Sequence, residues 1–245
     1  MNQHTAVFNW SGGKDSSLAL YKVLQDPKYN VTQLLTSVNT VHNRISMHGV
    51  RRNLLEAQAK EIGLPLGILS LPEQPSMDDY NELWATKMEE LKAQGNTHSV
   101  FGDIFLEDLK NYRDQQLEKA GFEGVYPIWK KDTKELILEF LELGFKTITV
   151  CVKSNLLDES FVGRIIDETF IQDLPENVDP CGENGEFHTF VFDGPIFNKP
   201  IPFEVGEKVF RAHNAPQKDE DTCGLANETD PKKMGFWFCD LLPVS

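Results

Sequence analysis

From the amino terminus to about residue 152, short apolar runs of β character alternate with stretches of helical period, and no other feature limits the possible folds so strongly. The β runs are 6–8, 31–38, 66–71, 99–102, 124–128 and 147–152. Between them apolar residues recur three or four positions apart, as in Leu55, Ala59 and Ile62 or Leu136, Ile137, Phe140 and Leu141, which is the spacing of one helix face. Four of these stretches run into glycine, at Gly63, Gly95, Gly121 and Gly144, where a left-handed residue can close the last turn. Asp132, with Glu135 three residues on, has the spacing of a helix-capping pair. Strict alternation predicts right-handed crossovers and an α/β fold, a parallel sheet with helices on both faces. Such sheets bind ligands beyond the carboxyl ends of the strands, where the chain order reverses.

The pattern changes after about Ser154. One helical candidate, 161–170, is followed by β runs at 187–192, 205–211 and 236–242, separated by proline and glycine. We therefore expect two domains, 1–128 and 129–245, the second a smaller α+β unit. Charge divides along the same line, with 12 basic and 16 acidic residues in 1–128 against 12 and 22 in 129–245. Between positions 156 and 193, ten acids face a single base, Arg164, a pattern of either a solvated face or a site for a cation. The overall charge of −14 disfavours nucleic acid as a main partner, because binding to a phosphate backbone needs clustered Lys and Arg. No apolar run is long enough to span a membrane, and Met1 to Trp10 lack the basic and apolar regions of an export signal, so a cytoplasmic protein is expected. Cys151, Cys181, Cys223 and Cys239 are widely spaced and read as free thiols.

The chemistry concentrates just after the first β run, in Ser11-Gly12-Gly13-Lys14-Asp15-Ser16, which leads straight into an apolar helix. Two glycines let the backbone turn sharply and approach a ligand, and a helix start presents unpaired N–H groups and partial positive charge. Together they make an anion cradle, to which Ser11 and Ser16 add hydroxyls and Lys14 a point charge. A polyphosphate suits such a cradle. The spacing differs from both G-x-x-x-x-G-K-[ST] and G-x-G-x-x-G.

The hexapeptide resembles the S-G-G-x-D-S loop of the N-type ATP pyrophosphatases, or PP-loop proteins. The match narrows with Ser37-Val38-Asn39, Ser46-Met47-His48-Gly49, Phe101-Gly102-Asp103-Ile104, Tyr126-Pro127-Ile128-Trp129 and the segment from Cys181-Gly182-Glu183-Asn184-Gly185-Glu186-Phe187-His188-Thr189 to Asp193-Gly194-Pro195. In this order they resemble the diphthine–ammonia ligase family over residues 5 to about 200. The resemblance implies an adenine nucleotide alpha hydrolase-like, Rossmann-like ATP-binding domain and a two-step amide synthesis. A substrate carboxylate attacks the α-phosphorus of ATP, releasing pyrophosphate, and ammonia then displaces AMP. It also implies Mg²⁺, and an acceptor, diphthine, carried on an elongation factor. Ammonia would come from free ammonium or a separate partner. The rival reading is an ATP pyrophosphatase or nucleotide-binding protein with another acceptor.

Carried over residue by residue, the resemblance gives pyrophosphate binding to Ser11, Gly12, Gly13, Lys14, Asp15 and Ser16, and adenine binding to Ser37, Val38 and Asn39. Lys14, Asp15 and His48 are the catalytic candidates, His48 either as a donor to phosphate or as a loop cap. Asp15 is left between Mg²⁺ contact and helix capping. Gly102 and Asp103 end a strand that should lie next to the first, with Asp103 contacting Mg²⁺ or ribose or simply forming a turn. Of the adjacent Arg51 and Arg52, at most one can reach the site. Glu183, Glu186 and His188 are assigned to the acceptor substrate, with a surface hairpin as the alternative.

Overall fold

The structure is a computed structural model that describes residues 3–45, 49–73, 76–212 and 235–244. Its first half runs β1(His4–Asn9), α1(Lys14–Gln25), β2(Tyr29–Asn39), β3(Arg44–Ile45), α2(Arg52–Ile62), β4(Leu66–Leu71), α3(Met77–Ala93), β5(His98–Val100), α4(Glu107–Ala120) and β6(Glu123–Val125). The second half runs α5(Thr133–Glu142), β7(Lys146–Lys153), α6(Glu168–Asp173), β8(Phe187–Asp193), β9(Phe203–Ala212) and β10(Gly235–Pro243). As the alternation predicts, β4, β2, β1, β5 and β6 lie side by side and parallel. The short β3 pairs antiparallel with the end of β2. From β1 the chain winds outward through β2 and β4, then crosses back to β5 and β6, so the order reverses between β1 and β5. That crevice is where such a sheet leaves room for a ligand.

Two expectations are corrected. The run 147–152 does not join the parallel sheet; β7 is an inner strand of a second, antiparallel sheet ordered β8-β7-β10-β9. Thr147 to Val152 are all buried, and a β-branched run of this kind reports burial on both faces rather than strand direction. The helix expected over 161–170 is largely turns, with an isolated bridge from Ile165 to Ile148. Phe161, Val162, Ile166 and Phe170 pack into the core, and their spacing imitates a helix face. The true helix α6 starts only at Glu168, where the Asp167 carboxylate accepts from the Phe170 N–H at 2.8 Å. Asp132 caps α5 as expected, accepting from the N–H groups of Lys134 and Glu135.

The two halves share one hydrophobic cluster, which runs from Ala6, Phe8 and Leu20 through Phe140 to Phe190 and Val191. Helix α1 lies at its centre, with Leu18, Ala19, Leu20 and Val23 buried. A second, smaller cluster under α3 and α4 contains Val7, Leu35, Met88, Leu91 and Phe101. Cys151, Cys181 and Cys239 are buried free thiols, while Cys223 lies outside the described residues. Among the described residues no helix is long and apolar enough to cross a membrane.

A polar clamp also joins the halves. Asp240 on β10 accepts from Arg51 Nη2 at 2.6 Å and Nε at 3.1 Å, and from Arg44 Nη1 at 2.9 Å. Burial raises this carboxyl, but the hydrogen bonds from Arg51 and Arg44 outweigh it and hold it down at about 2. A carboxyl lowered in the folded state contributes stability that is complete above the unfolded value of about 4 and is lost as pH falls toward 2. Asp240→Asn should therefore cost about 1–2 kcal/mol at neutral pH and remove part of the acid-side slope, both readable from urea denaturation between pH 2 and 7.

Candidate nucleotide site at the β1–β5 crevice

The segment Ser11–Ser16 joins β1 to α1 and sits at the reversal point. Gly12 has φ +77°, and a Cβ added there would lie 2.7 Å from Gln58 Oε1; only glycine fits both constraints. Its carbonyl accepts from the Val191 N–H at 2.9 Å and from Gln58 Nε2 at 3.0 Å. Gln58, fully buried on α2, also accepts from Trp10 Nε1 at 3.0 Å and donates to the Val191 carbonyl at 2.6 Å. The loop is thus fastened to α2 and β8 before any ligand arrives. Ser11 Oγ accepts from the Gly13 N–H, and the Ser11 and Ser16 hydroxyls lie 3.0 Å apart. Gly13 caps α1 without a side-chain hydrogen bond, and the first N–H groups there are taken by Ser11 and by Thr189 of β8.

Gly102 closes the other wall. A Cβ there would fall 2.9 Å from the Ser16 N and 3.0 Å from the Asp15 carbonyl, so the end of β5 rests directly on the first turn of α1. The expectation that the strand before Gly102 and Asp103 lies beside the first agrees with the parallel pairing of β5 with β1; Gly102 itself lies past its end.

The charged residues are arranged differently from a simple phosphate cradle. Lys14, expected as a point charge toward phosphate, is 3% exposed and turned toward the second half of the chain. Its Nζ donates to both Asp15 oxygens at 2.7 Å and to the Cys181 carbonyl, and lies 5.5 Å from the centre of the Phe187 ring. Its N–H donates to Thr189 Oγ1 at 3.0 Å. Burial opposes its charge, yet Asp15 and its other neighbours prevail and the ammonium is held above its ordinary value. Burial raises the Asp15 carboxyl against the pull of Lys14.

Asp103 is ion-paired with Arg113, whose guanidinium lies 4.5 Å from the centre of the Phe101 ring. Burial raises this carboxyl too, with Arg113 opposing. Both expected Mg²⁺ ligands are therefore engaged by cations of the chain. Among the described residues no three His, Cys, Asp or Glu side chains are grouped to hold a metal ion. A nucleotide-bound Mg²⁺ takes only one or two protein carboxylates beside the phosphates, and Asp15 and Asp103, the first close enough to raise the carboxyl of the second, are the residues that would hold it here.

The second cluster divides by role. Glu183 reaches the crevice, accepting from the Ile104 N–H at 2.8 Å and the Phe105 N–H at 3.4 Å. Burial lifts its carboxyl to about 7, with Asp15 adding to the rise. Glu186 is buried and accepts from the Asp179 N–H, the Asn184 N–H and Asn184 Nδ2 at 2.9–3.2 Å, so its carboxylate shapes the 179–186 loop. Burial lowers His188 to about 4, with Lys14 reinforcing the drop; a neutral imidazole results at physiological pH.

A carboxyl raised in the folded chain contributes stability below its unfolded value that is lost as pH rises through about 7. Glu183→Gln keeps an oxygen for the Ile104 N–H but cannot ionise. It should flatten that loss and make the nucleotide-free chain more stable than wild type at pH 8, by about 1 kcal/mol after solvent screening, as thermal unfolding across pH 5–8 would record.

At the end of β2, Ser37 is in register with Leu69 on β4, and Val38 with both Ser70 on β4 and Ile45 on β3. Asn39 is bound through its side chain to the Pro72 and Glu73 carbonyls and to the N–H groups of Val41 and His42. His48 lies outside the described residues. Arg51 joins Asp240, and Arg52 pairs with Glu56 at 2.8 Å. Tyr126 stacks on Phe101 at 5.5 Å and donates to Asp114. The sequence does not single out Gln58, Thr189 or Arg113; a glutamine within an apolar helix face is the signal it offers for Gln58.

Sequence profiles of the diphthamide synthase N-terminal and C-terminal domains match residues 3–123 and 132–218. A diphthine–ammonia ligase from Danio rerio is 24% identical over 144 residues, covering 56% of this chain and 56% of that protein. The chain thus spans little more than half the length of that relative. One from Rattus norvegicus is 22% identical over 232 residues, covering 84% of this chain and 85% of that protein. A solved structure described as a predicted subunit of tRNA methyltransferase from Methanocaldococcus jannaschii overlaps 60% of this chain and 80% of its own, at 22% identity and a TM-score of 0.42. With both halves matched in order, the chain belongs to the diphthamide synthase family.

Proposed function

We propose that the chain is an ATP-dependent amide ligase of diphthamide synthesis, acting on a diphthine-like carboxylate. The observation that supports this most is Gly12: a left-handed glycine, locked by Gln58 and Val191, in a serine-flanked loop at the sheet's reversal point. A loop preset in this way spends little of its binding energy on ordering itself around a polyphosphate. In this reading Ser11, Gly12, Gly13 and Ser16 hold the pyrophosphate end of ATP, and the end of β2, Ser37 to Asn39, receives the adenine.

The α-phosphorus is then open to the acceptor carboxylate. One carboxylate oxygen bonds to it as the bond to the β-phosphate oxygen breaks, and pyrophosphate leaves with that electron pair. Ammonia next attacks the acyl carbon, AMP departs with the carbon–oxygen electron pair, and the surplus ammonium proton passes to solvent. Lys14 keeps the 181 loop against α1, and Glu183 holds the Ile104 turn at the crevice, so both act by positioning. Asp15 and Asp103 stand at the crevice as the nearest carboxylates, and Glu186 shapes the loop that would meet the acceptor. His48 remains a proposed phosphate contact.

Incubation with ATP, isotope-labelled ammonium and a diphthine-bearing elongation factor tests the reading. We expect label in an acceptor amide together with one AMP per amide formed. AMP release without label in the acceptor would leave an ATP pyrophosphatase with a different acceptor.

A further inference from the structure

In a chain of charge −14, three arginines gather around one cavity. It measures about 390 Å³ and is lined by His42, Asn43, Arg44, Arg51, Arg52, Asn53 and Glu56. The volume lies within the range of small-molecule sites, roughly 300–1,000 Å³. Its position follows from α2. Gln58 on that helix touches Gly12, and Arg51 precedes it by seven residues, so the cavity lies about 10 Å along the helix from the loop at 1.5 Å per residue.

Around Asp240 the guanidiniums outnumber the carboxylate. Arg44 and Arg51 share the single carboxylate of Asp240, which accepts all three of their hydrogen bonds to it. Two guanidiniums against one carboxylate leave a net positive charge. Arg52 is balanced by Glu56 and His42 lies 3.4 Å from Glu73, but both pairs are largely exposed and easily exchanged for a stronger partner. The Asp240 clamp fixes Arg44 and Arg51 in place, so little side-chain freedom remains to be lost when an anion arrives. Guanidinium forks match the oxygens of phosphate and carboxylate groups.

We propose that this cavity is a second oxyanion site, separate from the Ser11–Ser16 loop, which takes a small multiply charged oxyanion such as a phosphorylated metabolite or a polycarboxylate. The shared chemistry is two or more anionic oxygens within reach of Arg51, Arg52 and Arg44. Glu56 opposes such a ligand and limits its affinity.

The test is equilibrium dialysis of the full chain against labelled pyrophosphate and, separately, labelled citrate, with folding monitored by circular dichroism. Wild type, Arg52→Gln, Arg51→Gln, Glu56→Gln and Ser16→Ala are compared. We expect a class of site whose affinity falls about tenfold in Arg52→Gln, rises severalfold in Glu56→Gln and is unchanged in Ser16→Ala. Tighter binding of pyrophosphate assigns the ligand to phosphates, and tighter binding of citrate to carboxylates. Arg51→Gln also loosens the Asp240 clamp, so Arg52→Gln and Glu56→Gln, which alter exposed side chains only, decide if that variant unfolds. The proposal is overturned if neither anion binds, or if binding is lost in Ser16→Ala and unchanged in Arg52→Gln and Glu56→Gln. Loss of a separate Ser16-sensitive class would bear on the loop alone.

Discussion

Gly12→Ala should unfold about 9 °C below wild type and lose ATP cleavage by at least about a hundredfold, whereas Gly63→Ala should fall by only about 3 °C and keep its activity. Both glycines are left-handed, at φ +77° and +81°. A side chain in that conformation costs about 1 kcal/mol or more at either position. The surroundings differ. Nothing lies within 4 Å of a Cβ at Gly63, while at Gly12 it would meet Gln58 Oε1 at 2.7 Å. Gln58 cannot retreat without releasing Trp10 Nε1 and the Val191 carbonyl, which adds about 2 kcal/mol for buried groups left unpaired. Thermal unfolding and a nucleotide assay on the two variants separate backbone strain, common to both, from the contact unique to Gly12. Equal losses in the two would mean that the Gln58 contact has no energetic weight.

Gln58→Leu should cost about 3 kcal/mol although leucine fills a similar volume. The side chain is fully buried, and its amide serves the indole of Trp10, the Gly12 carbonyl and the Val191 carbonyl. Gly12 retains the Val191 N–H, so the penalty falls on the indole donor and the Val191 acceptor, each at roughly 1–2 kcal/mol. A double-mutant cycle isolates the first. With Trp10→Phe in place there is no indole N–H to strand, and Gln58→Leu should cost about 1 kcal/mol less. Chemical denaturation gives all four free energies. Additive losses would show that the Trp10 hydrogen bond is energetically silent.

How much of this the sequence discloses depends on whether the determinant is local. The loop and the parallel strands β1, β2, β4, β5 and β6 follow from period and from glycine, which are properties of neighbours along the chain, whereas the two-residue antiparallel β3 leaves no such trace. The placement of β7 does not follow either, because a run buried on both faces reads the same in a parallel or an antiparallel sheet. The helix expected over 161–170 fails for a related reason: tertiary packing, not helical repetition, buries Phe161, Val162 and Phe170. At the crevice, the turn from Ser11 to Ser16 is legible from its two glycines before an apolar helix, whereas Gly102 is singled out only by the family resemblance and its place at a strand end. The direction of Lys14 is not legible, since it is set by Cys181 and Phe187, more than 160 residues away in the chain. Asp103 likewise reads as an open carboxylate until α4 brings Arg113 to it. Glu183 and Glu186 look alike in sequence, yet one faces the Ile104 turn and the other is consumed by its own loop.

These long-range pairings bear on mechanism. In the proposed reading, a loop whose backbone is fastened by Gln58 and β8 would pass a shift of the second sheet on to a nucleotide held there. Acceptor binding near the 179–186 loop would then be felt at the pyrophosphate end through Cys181, Lys14 and Thr189.

In the proposed reaction the bond between the α- and β-phosphates of ATP breaks while the loop holds the far end. Incubating the full chain with ATP labelled at the α-phosphorus, together with acceptor and ammonium, and separating the products measures this directly. Label recovered in AMP, in step with unlabelled pyrophosphate, is the predicted result; label recovered in ADP would contradict it.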